Sequence, residues 1–213
     1  MHLIGRRTLR LPIDVIRSTR GSHQLRRRHP EFRSLSKRVH DKADDLAGAH
    51  AEYASTVSSP RAAVSLQTAA LLAVLCDTYK PERALDLGSG FSTWVIASHT
   101  DSTVVTIDDA PEWLAATADF LRSRETRNVQ FGGLDLLNQL TGPFDLVFHD
   151  LGDIATRANW LPKVQTLVSS SGWLVLDDAH KRHYRPHLPK AALSMRWLTL
   201  DDFGRWCAVI PPG

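Results

Sequence analysis

Ala84-Leu85-Asp86-Leu87-Gly88-Ser89-Gly90-Phe91-Ser92-Thr93 is the stretch on which the fold turns. An apolar strand runs into a Gly-Ser-Gly turn, and the turn opens a helix. Glycine lets the backbone take positive φ and approach a ligand closely. The first N–H groups of the helix lack partners within it and can receive a polar or anionic group. A lone Gly-x-Gly is weak evidence, but a second feature follows. Thr103-Val104-Val105-Thr106-Ile107-Asp108 puts a carboxylate at the end of the next strand, 20 residues after Gly88. That placement suits hydrogen bonds to ribose hydroxyls. The dinucleotide fingerprint needs a third glycine where this chain has Thr93, so a nicotinamide cofactor is disfavoured.

Working outward, residues 65–79 have helical periodicity, ended by Lys80-Pro81 because proline disfavours helix at the residue before it. Strands are expected at 83–87, 103–107, 129–131, 145–148 and 173–176, with helices at 92–99, 111–124 and 157–168 between them. The continuously apolar strands suggest a parallel sheet covered on both faces. Residues 195–200 and 206–210, around Asp201-Asp202-Phe203-Gly204, read as a β-hairpin. The fold class is therefore α/β: a Rossmann-like, seven-stranded, mostly parallel sheet with helices on both faces and a C-terminal antiparallel hairpin.

Charge is unevenly spread. Residues 1–42 hold 12 Lys and Arg against 3 Asp and Glu, whereas the whole chain carries only +3. The segment reads as a loose basic arm or helical cover over residues 1–45, with a helix near 30–47, ahead of a main domain at 46–213. Two readings stand for its charge: a solvated face, or a contact for nucleic acid, anionic lipid or an acidic partner. The two cysteines, Cys76 and Cys207, have no metal-ligand spacing and fit a reducing cytoplasm. No apolar run approaches the roughly 18–20 residues a membrane span needs, and no secretory leader is expected. Oligomeric state is open, with a homodimer as one assembly.

Taken together, LDLGSGFSTWVIA (85–97), VVTIDD (104–109), FDLVFHD (144–150) and GWLVLDD (172–178) resemble the ordered motifs of class I S-adenosylmethionine (SAM)-dependent methyltransferases. The preceding helix, with Ser65 and Gln67, resembles the lead-in helix of the branch that includes catechol, caffeoyl-CoA and macrocin-type O-methyltransferases. The resemblance covers about residues 60–210. It implies that Gly88, Ser89 and Gly90 line SAM, that Ser92 holds its carboxylate, and that Asp108 binds the ribose. Asp109 and Trp113 would sit near the adenine, with Leu134 and Asp135 at its edge. Asp135 reads equally as a helix cap, and Trp113 as a packing residue. Asp86 is expected to orient the glycine loop.

Asp150, Asp177 and Asp178 lie just past the ends of strands, where open α/β sheets bind ligands. Three carboxylates converging there suit a hard divalent cation such as Mg²⁺. The resemblance implies a metal that binds acceptor oxygens and lowers the pKa of the attacking hydroxyl. The long polar loop of the metal-dependent relatives is missing after Asp150, so a purely structural reading of the acids also stands. His180 is the first candidate for a general base, and Asp150 is a second catalytic position. The expected reaction moves a methyl group from SAM to a hydroxyl of a small molecule. The alternatives are an RNA methyltransferase using residues 1–42, whose Asn/Asp-Pro-Pro-aromatic motif is absent, and an inactive SAM-binding protein.

Overall fold

The structure is a computed structural model and describes residues 10–200 and 204–213. Arg6-Arg7, and Asp201 to Phe203 of the expected hairpin, lie outside the described residues. The described residues open with helices α1 (Arg10–Arg28), α2 (Leu35–Thr56) and α3 (Leu66–Tyr79). Then follow β1 (Ala84–Leu87), α4 (Phe91–Ser98), β2 (Val104–Ile107), α5 (Pro111–Ser123), β3 (Val129–Gly132), α6 (Leu134–Gln139), β4 (Phe144–His149), α7 (Ile154–Leu167) and β5 (Val168–Leu176). Strands β6 (Leu193–Met195) and β7 (Cys207–Ile210) close the fold.

The sheet order is β3-β2-β1-β4-β5-β7-β6. β1 pairs in parallel with both β2 and β4, and β7 runs antiparallel to β5 and β6. Chain order reverses between β1 and β4, and that switch point is where open α/β sheets form a ligand crevice. Alternate residues feed two cores. Leu146, Phe148, Trp173 and Val175 face one, with the first helices; Leu85, Val147, Leu174 and Leu176 face the other, with α7. This double burial explains the unbroken apolar strands.

The expected hairpin needs correction. Its first strand is Leu193–Met195, earlier than 195–200, and residues 198–200 form a 3₁₀ turn instead. The strands still pair antiparallel, with Met195 opposite Cys207. The link between them is therefore a long excursion rather than a tight turn.

Of the two readings of the N-terminal segment, the loose arm does not hold for the described residues and the helical cover does. Its described part is helical and packed: Leu25, Phe32, Leu35 and Val39 are all buried in the main core. Phe32 and Tyr79 set their rings 5.3 Å and 4.9 Å from Trp173 on β5. Gly21 of α1 comes so close to β6 that a Cβ there would lie 2.5 Å from the Ser194 carbonyl oxygen. Residue 45 falls inside α2, whose buried Val39, Ala43, Leu46 and Tyr53 share one core across that point. No helix among the described residues is long and apolar enough to cross a membrane.

Candidate functional site

The glycine turn is held from beneath by Asp86, which is fully buried at the base of the loop. Thr93 Oγ1 donates to its carboxylate at 2.5 Å and Ser92 Oγ at 3.0 Å. The Gly90 N–H in turn donates to Thr93 Oγ1 at 3.0 Å. Burial pushes the Asp86 carboxyl up to about 7, against the pull of those hydroxyls. Asp86 thus sits where the loop-orienting expectation put it. Thr93, which takes the place of the third glycine, is the link between that carboxylate and the turn. Gly88 has φ +107, and a Cβ there would lie 2.7 Å from the Asp150 backbone. Both facts demand glycine.

Asp108, at the end of β2, is the second anchor. Its Oδ2 accepts from the Ser89 N–H at 2.7 Å and Ser89 Oγ at 2.9 Å, and its Oδ1 accepts from the Ala110 N–H at 2.9 Å. Burial pushes its carboxyl up, and those hydrogen bonds oppose the shift. Each carboxylate oxygen can accept more than one hydrogen bond, so acceptor capacity remains for a ligand hydroxyl.

A cleft of about 290 Å³ opens over this loop at the carboxyl ends of the strands. Gly88, Ser89, Gly90, Ser92, Asp108, Asp109, Trp113 and Asp150 all line it. Asp135 is not among the lining residues. It is exposed in the first turn of α6, where a carboxylate favours the helix dipole. Ser92 is 2% exposed and bonded to Asp86, so its hydroxyl serves the loop. Sequence reading missed Tyr53, Val64 and Arg157, which also line the cleft. Tyr53 comes from α2, and burial pushes its phenol up to about 12.

The expected metal centre needs correction. Asp150, Asp177 and Asp178 do lie near one another, but a guanidinium stands among them. Arg157 Nη2 is 2.6 Å from Asp150 Oδ1, and Nη1 pairs with Asp178 Oδ2. Lys181 Nζ holds the same Asp178 oxygen at 2.5 Å. Among the described residues, no group of three His, Cys, Asp or Glu side chains is arranged to hold a metal ion. Fixed cations already neutralise one oxygen each of Asp150 and Asp178, so the residues present do not fit Mg²⁺. Burial pushes Asp150 well up, partly countered by Arg157. Burial, with Asp178 beside it, raises Asp177 to about 6. Asp178 goes the other way: Arg157 and Lys181 outweigh its burial and hold it below the ordinary carboxylate range.

His180 is half-buried, 3.6 Å from Asp178 Oδ1 and beside the Trp206 ring. Burial pushes its imidazole down. It is not among the residues lining the cleft. Arg157 carried a readable signal: buried acids need a counter-charge, and Arg157 is the first cation after the β4 acids.

No protein-family model matches the chain, and no curated protein does either. Solved structures do. The O-methyltransferase TomG from Streptomyces achromogenes, in complex with SAM, aligns at TM-score 0.61 with 21% identity, over 81% of this chain and 90% of TomG. The Podospora anserina methyltransferase PaMTH1, bound to S-adenosylhomocysteine, aligns at TM-score 0.61 with 16% identity, over 85% of this chain and 97% of its own. An rRNA methylase from Streptococcus thermophilus aligns at TM-score 0.53 with 18% identity, over 68% of this chain and 93% of its own. The chain has the fold of the class I SAM-dependent O-methyltransferases.

Proposed function

We propose that the chain transfers the methyl group of SAM to an oxygen of a small-molecule acceptor. The observation that carries this reading is one cleft that joins the Gly88–Gly90 turn and Asp108 to the carboxylate of Asp150. SAM, when bound, supplies a methyl carbon on sulfonium; its C–S bond breaks as the C–O bond forms, and the electron pair leaves on sulfur. In this reading Asp108 holds the ribose hydroxyls, while Asp109 and Trp113 border the adenine. The turn and the start of α4 receive the amino-acid end. Positioning of the two reactants does most of the work.

Asp150 takes the proton of the acceptor hydroxyl. Its carboxyl is raised by burial, which brings a base closer to the working pH. His180 stands outside the cleft and contacts Asp178. No step passes through a metal.

The test is incubation with SAM and a panel of phenols, catechols and sugars, following S-adenosylhomocysteine release and methylated product by mass spectrometry. Asp150→Asn should lower kcat by about 10²- to 10⁴-fold, the usual yield of a general base, with KM for SAM changed less than about threefold. Unchanged turnover in that variant removes Asp150 from the chemistry.

RNA as acceptor is the second reading. It is favoured by the exposed Arg26-Arg27-Arg28 at the end of α1. It requires RNA binding that weakens steeply with salt.

A further inference from the structure

The cation at the three-carboxylate cluster is part of the chain. Arg157 lies one turn into α7, the helix that follows the β4 acid, and Asp153 caps that helix by accepting from the Thr156 N–H at 2.8 Å. The cap fixes the start of α7 and so the direction in which Arg157 leaves it. Arg157 is 7% exposed. Its Nε and Nη2 donate to the Gly152 carbonyl at 3.2 Å and 3.0 Å, Nη2 reaches Asp150 and Nη1 reaches Asp178. Three N–H groups of the planar fork thus donate hydrogen bonds, and the same guanidinium forms an ion pair with Asp150. Its backbone is held too: the carbonyl of Arg157 receives the Nε2–H of buried His149 at 3.0 Å.

We propose that Arg157 takes the place of a divalent cation in this chain, so that methyl transfer runs without Mg²⁺ and Arg157 is the positioning residue for Asp150. The inference rests on the methyltransferase reading above. Three acids gathered at strand ends without a counter-charge would be strongly unfavourable in a partly buried site. A metal is one solution, and it brings a charge of two with oxygen ligands and water. A guanidinium is the other. It keeps its single charge at every working pH, and it fixes the carboxylates by direction as well as by charge. With Arg157 in the fork, Asp150 keeps one face for the cleft and Asp178 is bound to Lys181 as well. The acceptor hydroxyl then loses its proton to Asp150 rather than to solvent at a metal.

The experiment is Mn²⁺ titration of the full chain by electron paramagnetic resonance, with S-adenosylhomocysteine binding measured in parallel as the check on the fold. Wild type should bind no Mn²⁺ at millimolar concentration, and its turnover should change less than about twofold in EDTA. Arg157→Ala should gain one Mn²⁺ site, because the carboxylates lose their counter-charge, and adding Asp178→Asn should abolish that gain. Arg157→Lys, which keeps the charge and is the milder change if alanine prevents folding, should still bind no Mn²⁺. Stoichiometric Mn²⁺ binding by wild type, or turnover lost in EDTA and restored by Mg²⁺, overturns the proposal. So does an Arg157→Ala protein that binds S-adenosylhomocysteine but no Mn²⁺. Failure of wild type to bind S-adenosylhomocysteine is a separate result, and it sinks the methyltransferase reading instead.

Discussion

Two buried groups on the neighbouring strands β1 and β4 titrate in opposite senses. Asp86 is raised to about 7 by burial. A carboxyl raised on folding contributes stability fully below its unfolded pKa, here near 3.8, and loses that contribution as pH rises through about 7. His149, buried and neutral, is lowered to about 4. Its contribution is present above its unfolded pKa near 6.5 and is lost as pH falls toward 4. Between those limits the two slopes offset each other. Asp86→Asn should remove one of them, on the order of a few kcal/mol over the full window. Urea unfolding at several pH values from 4.5 to 7.5 checks this. The variant should lose more stability on acidification than wild type, and parallel curves would contradict the assignment. At this scale Asp86 and Asp108 were legible in the sequence, Asp86 because it precedes the Gly88–Gly90 turn and Asp108 because it follows the next strand, 20 residues after Gly88. Arg157 was overlooked although it is the first cation after Asp150, because its reach back across seven residues follows only once the helix direction is known.

Among the elements, α1 is the one that sequence reading misjudged. Its apolar residues are few, so its pattern looked like a loose arm. What holds it is close backbone approach to β6 together with the burial of Leu25. This gives a prediction whose sign is diagnostic. Gly→Ala within a helix ordinarily stabilises by about 0.5–1 kcal/mol. At Gly48 of α2, where a Cβ meets nothing within 4 Å, that gain should appear as a raised Tm. At Gly21 the added Cβ would lie 2.5 Å from a strand carbonyl, so the same substitution should lower Tm. A rise at both positions would mean that α1 does not seat on β6. The hairpin was found in kind but misplaced in extent, since the run 195–200 is apolar enough to read as strand. It turns as a 3₁₀ segment because Trp197 and Gln67 tie the chain inward: the Trp197 N–H donates to Gln67 Oε1 at 2.8 Å.

For the whole molecule, the five parallel strands were legible, because double burial writes itself into continuous apolar strands, whereas helices α1 and α6 were not. The wall of the cleft formed by the Gly88–Gly90 turn and Asp108 was legible too, being built from strand ends in sequence order. The wall supplied by α2 was hidden, because Tyr53 reaches the glycine turn only through tertiary packing. The account stands on one cleft binding one nucleoside. The most direct measurement is calorimetric titration of the full chain with S-adenosylhomocysteine, SAM and NAD, repeated on Asp108→Ala. The account predicts one site for the two SAM compounds, no heat with NAD, and affinity about 10- to 100-fold weaker in the variant, the cost of losing hydrogen bonds to a charged group. A folded wild-type protein that binds neither SAM compound, or that binds them equally well without the Asp108 carboxylate, would contradict it.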